Sequence, residues 1–69
     1  MLNKELLREK IKASHISMDE VAKCANMDRS TLYRRLASDE SEFTIAEATA
    51  ISKCLNLSKR DVMSIFFGR

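Results

Sequence analysis

Apolar residues recur along this chain at the spacing that is typical of amphipathic helices. In the first segment Leu7 and Ile11 are four residues apart, with Leu6 beside them and charged residues between. Because residues three and four apart share one face of an α-helix, this pattern predicts a helix from Asn3 to about Ala13. Similar patterns predict four more helices, at about 18–25, 29–38, 45–55 and 59–67. We therefore predict an all-α fold with five helices, in one domain spanning 1–69.

The predicted helix boundaries coincide with residues that start and end helices. The last four helices each follow a residue whose side-chain oxygen can accept hydrogen bonds from free N–H groups of the first turn. These capping residues are Ser17, Asp28, Thr44 and Ser58. Glu20 and Glu47 stand three residues after Ser17 and Thr44, which is the spacing of a capping box. Asn26 and Asn56 can adopt the left-handed backbone that ends a helix, in a chain with no proline and a single glycine.

The second and third predicted helices, joined by a tight turn at Asn26, form a helix-turn-helix pattern. In order and spacing this pattern resembles the lambda-repressor-like (Cro and phage repressor) family of DNA-binding domains. The resemblance rests on Val21, Ala22, Asn26 and Leu32, and on the downstream segments 43–47 and 55–58. It covers roughly Leu6 to Phe66 and implies a compact five-helix domain with the third helix in the major groove of DNA. Ala22 is expected where the second and third helices touch.

Three positions depart from the family's pattern. Met18 stands where family members usually carry glutamine, and Asn26 stands where they usually carry glycine. The apolar residue late in the third helix is Leu36, one place later than usual. A methionine side chain donates no hydrogen bond, so Met18 offers a phosphate only its backbone N–H.

The predicted third helix carries the candidate DNA-reading residues. At about 100° per residue, Leu32 and Leu36 define its buried stripe, and Arg34 falls on the opposite side. An arginine there can donate two hydrogen bonds to guanine. By its resemblance to the family, the chain is expected to contact bases through Arg29, Ser30, Tyr33 and Arg34. For Tyr33 two roles stay open: contact with a base, or packing against the first turn of the fourth helix.

Phosphate contacts are expected from the flanks of the third helix and from helix N-termini, whose free N–H groups bind anions. The candidate residues are Ser17, Met18, Thr31, Arg35, Ser38 and Thr44. Net charge is only +2, which is too small to demonstrate an anionic partner. The excess of basic over acidic residues lies in the first half of the chain, whereas several acidic residues cluster in 39–47. These acidic residues would have to point away from DNA.

The remaining chemistry-bearing residues give no sign of catalysis or metal binding. Cys24 and Cys54 lack CxxC spacing, and we expect them to be reduced, half-buried fillers. His15 is the only histidine and is expected in a turn. No apolar run is long enough to span a membrane and no signal peptide begins the chain. We expect a cytoplasmic protein that is not an enzyme, with no cofactor, metal, small-molecule ligand or membrane association.

Two apolar stripes complete the prediction. Ile45, Ala48, Ile51 and Leu55 repeat on one side of the fourth helix and are expected in the core. In the fifth helix Val62, Ile65 and Phe66 suffice to close the core. Met63 and Phe67 are then left as a second stripe, unless Phe67 folds back on Leu55 or Leu57. Because an exposed apolar patch usually marks an interface, we predict a homodimer through Met63 and Phe67.

A homodimer of this kind would place two recognition helices about 34–36 Å apart on a pseudo-palindromic operator in double-stranded DNA. We therefore interpret the sequence as a small sequence-specific transcriptional regulator, most like a phage or prophage Cro-type repressor. Two alternatives remain. One is the antitoxin of a toxin–antitoxin pair, and the other is a protein-interaction adaptor that kept the fold and lost DNA binding.

Overall fold

The computed structural model describes residues 3–37 and 43–67, and these form five α-helices. The helices are α1 (Lys4–Ser14), α2 (Met18–Cys24), α3 (Arg29–Ala37), α4 (Ile45–Cys54) and α5 (Lys59–Phe66). The Cα radius of gyration is 10.6 Å, close to the value of about 11 Å expected for a compact chain of this length. None of the helices in the described ranges is long and apolar enough to cross a membrane. The prediction of a compact all-α fold with five helices is confirmed for these residues.

Side chains cap the helices at the predicted positions. Thr44 and Glu47 form a complete capping box, in which the Glu47 N–H donates to Thr44 Oγ1 (3.0 Å) and the Thr44 N–H donates to Glu47 Oε1 (2.9 Å). At α2 the Ser17 hydroxyl accepts from the Glu20 N–H at 3.2 Å, and at α3 Asp28 Oδ1 accepts from the Thr31 N–H at 2.8 Å. Ser58 caps α5 in the same one-sided way. Each helix therefore begins where its local sequence can satisfy the free N–H groups.

Left-handed residues end three of the helices. Asn26 (φ 59°) and Asn56 (φ 54°) follow α2 and α4, as predicted. His15 (φ 61°) follows α1 as its C-terminal cap, and its N–H donates to the Lys12 carbonyl. The prediction that His15 is a turn residue is confirmed. These non-glycine turns are short, so successive helices are forced into contact.

The core draws apolar side chains from all five helices and from the turn after α2. Its buried members are Leu7, Ile11, Val21, Ala22, Ala25, Leu32, Leu36, Ile51, Leu55 and Ile65. Helix α2 packs against both α3 and α4, and α1 packs against α5. The Asn3 N–H donates to the Ile65 carbonyl at 2.6 Å and joins the start of α1 to α5. Burying this shared core is what fixes α3 relative to the rest of the molecule.

Two residues are more exposed than expected: Ile45 from the predicted apolar stripe of α4, and Cys24. Ile45 is 82% exposed, because at about 100° per residue it lies about 100° round α4 from the direction shared by Ile51 and Leu55. Phe43, just before the Thr44 cap, packs against the core instead and meets Phe66 edge to face, with ring centroids 6.2 Å apart. Cys24 is exposed, and only Cys54 is half-buried as expected.

Candidate nucleic-acid interface

Helices α2 and α3 are held together by a tight, hydrogen-bonded turn. The Met27 N–H donates to the Ala22 carbonyl at 2.9 Å, and the Asn26 N–H donates to the Lys23 carbonyl at 3.0 Å. The Ala22 side chain is 1% exposed, as expected for a residue where the two helices meet. Helix α2 packs against α3 through this buried part of its surface, and close packing of this kind restricts the rotation of α3 about its own axis.

The rotation of α3 turns one face of the helix outward. Leu32 and Leu36 are buried, which confirms the predicted stripe. Ser30, Tyr33 and Arg34 are exposed, as is Arg29 in the first turn, whereas Thr31 and Arg35 are half-buried on the other side. The structure therefore brings the four predicted base-contacting residues onto one continuous exposed surface, which we call the outer face of α3 (Arg29, Ser30, Tyr33 and Arg34).

Weak polar contacts position the two arginines of this outer face. Arg34 Nη2 lies 3.4 Å from Thr31 Oγ1. Hydrogen bonds from the Thr31 side chain and backbone, with a contribution from the Arg34 charge, lower the pKa of the Asp28 carboxyl below its usual range. Arg29 Nε lies 3.6 Å from Asp19 Oδ1, and both side chains are 60% exposed. Exposed pairs of this kind contribute about 1 kcal/mol or less, so both arginines can exchange these contacts for a ligand at little cost.

Arg35 has a different environment. Its Nη1 lies 2.5 Å from Glu47 Oε1 on α4, and the two side chains are only 28% and 18% exposed. Its guanidinium carbon lies 5.7 Å from the centre of the Phe43 ring. Burial alone would raise the pKa of Glu47, but the Thr44 N–H and the Arg35 guanidinium outweigh it, and the pKa is lowered. Arg35 therefore joins α3 to α4, and its expected phosphate contact stays a prediction.

Tyr33 lies on the side of α3 that faces α1 and the start of α2. It borders an open cleft of about 410 Å³ together with Arg8, Lys12, Ile16, Met18 and Leu36, among others. The alternative that Tyr33 packs against the first turn of the fourth helix is therefore wrong, because that helix lies beside the opposite flank, where Arg35 is. Its contact with a base stays a prediction.

The remaining predicted phosphate contacts are dispersed. Ser17 is exposed, but its hydroxyl already caps α2, and Met18 is half-buried against the core. Thr31 is half-buried beside Arg34, and Thr44 is exposed at the start of α4. Ser38 and most of the acidic segment lie in 38–42, outside the described residues. Thr31 lies beside the outer face of α3 through its contact with Arg34, and Ser17 and Met18 lie beside it through the cleft that Tyr33 shares with them.

The predicted dimer residues lie away from this face. Met63 is 44% and Phe67 is 54% exposed, so an apolar stripe is present on α5. Phe67 also borders an open groove of about 440 Å³ between α4 and α5, and the exposed Ile45 stands on the same groove. Leu57 lines the same groove, and more than half of the Phe67 surface stays exposed.

Sequence reasoning missed two features of this surface. The sequence pattern gave Arg8 and Lys12 no part in the site, yet they border the cleft beside Tyr33. Their i, i+4 spacing, which places both on one face of α1, was the available signal. Within the described ranges, no group of three or more His, Cys, Asp or Glu side chains could hold a metal ion. Comparisons with models of protein families, with curated proteins and with solved structures find no match to this chain.

Proposed function

We propose that this protein is a small, sequence-specific DNA-binding regulator whose helix α3 enters the major groove. The observation that carries the proposal is the outer face of α3, where Arg34 and Ser30 are exposed opposite the buried Leu32 and Leu36. A helix with one face fixed in a core and a polar, cationic face turned outward has the form needed to read base edges. The resemblance of residues 17–36 to the helix-turn-helix of the lambda-repressor-like family supports the same function and favours a Cro-type repressor.

In this proposal the outer face of α3 supplies the sequence reading. The major groove is about 12 Å wide and admits an α-helix, and an arginine there can donate two hydrogen bonds to guanine O6 and N7. Arg34, opposite the buried stripe, is placed to point most directly into the groove. Ser30 lies one turn earlier and can donate to or accept from a neighbouring base. Arg29 leaves Asp19 and reaches a base from the first turn.

In this proposal the Arg35–Glu47 pair does not contact bases. It fixes the orientation of α3 relative to the rest of the domain. It joins the last turn of α3 to the first turn of α4, whose N-terminus is closed by the Thr44 capping box. A recognition helix held on both sides enters the groove without first losing rotational freedom, which lowers the entropic cost of binding.

Selection of bound sequences from a random pool of DNA duplexes tests this function. The proposal expects successive rounds to enrich one short sequence. The matched control is Arg34→Lys, which keeps the charge but loses the two-pronged donor geometry. The control should enrich a sequence that is less defined at one base pair. A wild-type pool that stays random after several rounds would exclude sequence-specific DNA binding.

The proposed regulator acts as a homodimer through the groove between α4 and α5. Ile45 and Phe67 protrude beside a groove on the same face, and a two-fold interface needs a surface that complements itself in this way. A domain of this length also has a small core, to which an interface adds stability. Two-fold pairing would make the operator a pseudo-palindrome, with half-sites about one helical turn apart.

Sedimentation equilibrium at micromolar concentration tests the dimer. We expect wild type to dimerise and Phe67→Ser to be monomeric or much weaker. Tyr33→Ser is the matched control, because Tyr33 is 53% exposed against 54% for Phe67 but lies on α3. It should dimerise like wild type. A wild type that is monomeric both free and on DNA would contradict the dimer, and equal loss in both variants would place the interface elsewhere.

The protein-interaction adaptor is the second candidate, because carboxylates stand close to the outer face of α3. Asp19 pairs with Arg29, and Asp28 accepts a hydrogen bond from Thr31 and is close enough for the Arg34 charge to lower its pKa. In an adaptor these carboxylates and Met18 would contact a protein rather than oppose a phosphate. The same selection experiment separates the two, since an adaptor enriches no DNA sequence.

A further inference from the structure

The cleft beside Tyr33 has a cationic wall. Arg8 and Lys12, one turn apart on α1, border the cleft, and both residues are exposed. Tyr33 stands on the α3 side, and Ile16 and Met18 line the space between the helices. The cleft is therefore continuous with the outer face of α3, and it combines positive charge with apolar surface. We call Arg8 and Lys12 the α1 edge.

Arg8 is held in place by the recognition helix itself. Its Nη2 donates to the carbonyl of Leu36, in the last turn of α3. The last four carbonyls of a helix have no partner within the helix, so this contact satisfies one of them. A guanidinium carries five N–H donors, and the side chain is thus anchored at the end of α3 with donors to spare for an anion.

The basic residues of α1 do not all serve this edge. Lys10 Nζ lies 3.4 Å from Asp61 Oδ2 of α5, and it projects from the helix about 160° away from Lys12. Lys10 therefore contributes to the packing of α1 on α5, whereas Lys12 lies beside the cleft next to α3. Helix α1 therefore carries one lysine on each side. Replacing each lysine separately distinguishes the role of the α1 edge from an effect of net charge.

We infer that the α1 edge binds backbone phosphates of the DNA strand that borders the groove entered by α3. The inference rests on the proposed function and extends its footprint to a helix outside the α2–α3 pair. A helix in the major groove is flanked by sugar–phosphate backbone on both sides, and Tyr33 marks the flank on which α1 lies. The cations of the edge meet phosphate oxygens, and the exposed parts of Ile16 and Met18 can cover deoxyribose carbons. Met18 thus needs no hydrogen-bonding side chain, because the edge supplies the charge.

Salt-dependent binding to a fluorescein-labelled duplex of 20 base pairs and mixed sequence tests the inference. Each phosphate neutralised steepens the fall of log K with log salt by about 0.9. Lys12→Gln should therefore give a slope shallower by about 0.9. Between 50 and 200 mM KCl, wild type should lose about threefold more affinity than Lys12→Gln does. Lys10→Gln, the matched control on the other side of α1, should keep the wild-type slope.

Each other outcome overturns the inference in a distinguishable way. Equal slopes for wild type and Lys12→Gln, with the duplex bound, would show that the α1 edge lies outside the footprint while the proposed function stands. Equal reductions for Lys12→Gln and Lys10→Gln would show an effect of net charge alone. A wild type that fails to bind the duplex even at low salt would remove the proposed function and the inference together. Thermal melts of each variant establish that it is folded.

Discussion

The outer face of α3 and the flank of α3 that faces α4 carry adjacent arginines in unlike surroundings. Arg34 is exposed, and its Nη2 lies 3.4 Å from Thr31 Oγ1. Arg35 is 28% exposed, lies 2.5 Å from a Glu47 carboxylate oxygen and stands over the Phe43 ring. One step of about 100° along the helix separates the two positions. It changes the environment from solvent to a partly buried ion pair.

This difference shows how one short helix can be fixed to the domain through one flank and still expose another face to a ligand. The guanidinium of Arg35 pairs with Glu47 on α4. This ion pair helps to fix the rotation of α3 about its own axis. Among the residues that the structure describes, the guanidinium of Arg34 makes a weak contact with Thr31, so it keeps donors for an external ligand. Residue type alone does not separate these roles, because both are arginines in the sequence. The neighbouring helix decides which one is structural.

Ala22→Leu should disturb the surroundings of both Arg34 and Arg35, because both depend on how α3 packs against α2. Ala22 is 1% exposed near the end of α2 that leads into α3, and overpacking a filled site costs about 1–3 kcal/mol. A core of this size supplies only about 3–5 kcal/mol. We expect a large fall in melting temperature by circular dichroism, with DNA binding lost as well.

Ala13→Leu, at an exposed position of α1, is the control and should melt like wild type. If Ala22→Leu melted as the control does, the helices would not be in close contact at Ala22.

Arg35→Ala and Arg34→Ala should separate stability from recognition. Hydrogen bonds to charged groups contribute about 1.5–3 kcal/mol when buried, so we expect Arg35→Ala to lower the free energy of unfolding by about 1–2 kcal/mol after allowing for its partial exposure. Arg34→Ala should leave stability within about 0.5 kcal/mol of wild type. Urea unfolding of both variants measures the difference.

The opposite result would restore the phosphate contact expected from the sequence. Arg35→Ala would then unfold like wild type but show a shallower dependence of DNA affinity on salt.

The Arg35–Glu47 pair should also give the fold a dependence on acid. Because the pKa of Glu47 is lower in the folded protein than its usual value of about 4.5, the unfolded chain binds the proton first. The stabilising contribution of Glu47 is therefore complete above pH 4.5 and is lost as pH falls through the folded pKa. Glu47→Gln should be less stable than wild type at pH 7, and its stability should fall less steeply below pH 4.5. Unfolding curves measured across this range would contradict the assignment if the two proteins lost stability in parallel.

Local features of this fold were predictable from sequence because local contacts determine them. The caps at Asp28 and Thr44 and the left-handed turns at Asn26 and Asn56 depend on residues within one turn, and all four are found as predicted. The rotation of α3 followed from Leu32 and Leu36 in the same way.

Features that depend on which helix lies opposite were not predictable. The 100° rule placed Arg35 on a flank, but only the tertiary structure brings Glu47 and Phe43 to that flank. For Tyr33 the sequence left base contact and packing against the fourth helix both open, and only the tertiary structure shows that it lies beside the cleft bordered by α1. Ile45 was assigned to the core because its spacing was near that of a helical stripe, and Phe43 fills that place instead. Arg8 and Lys12 were missed because their importance depends on the distance between α1 and α3, which no local pattern records.

The central claim is that the outer face of α3 reads DNA, and fluorescence anisotropy on a selected duplex and its scrambled counterpart tests it most directly. Arg34→Ala should weaken binding to the selected duplex by about 1–3 kcal/mol and bind the scrambled duplex nearly as wild type does. Arg34→Lys should lose most of the same preference, because a lysine cannot donate to guanine O6 and N7 with the geometry of a guanidinium. Equal losses on both duplexes for Arg34→Ala would contradict base reading by this residue and, with it, the assigned role of the outer face.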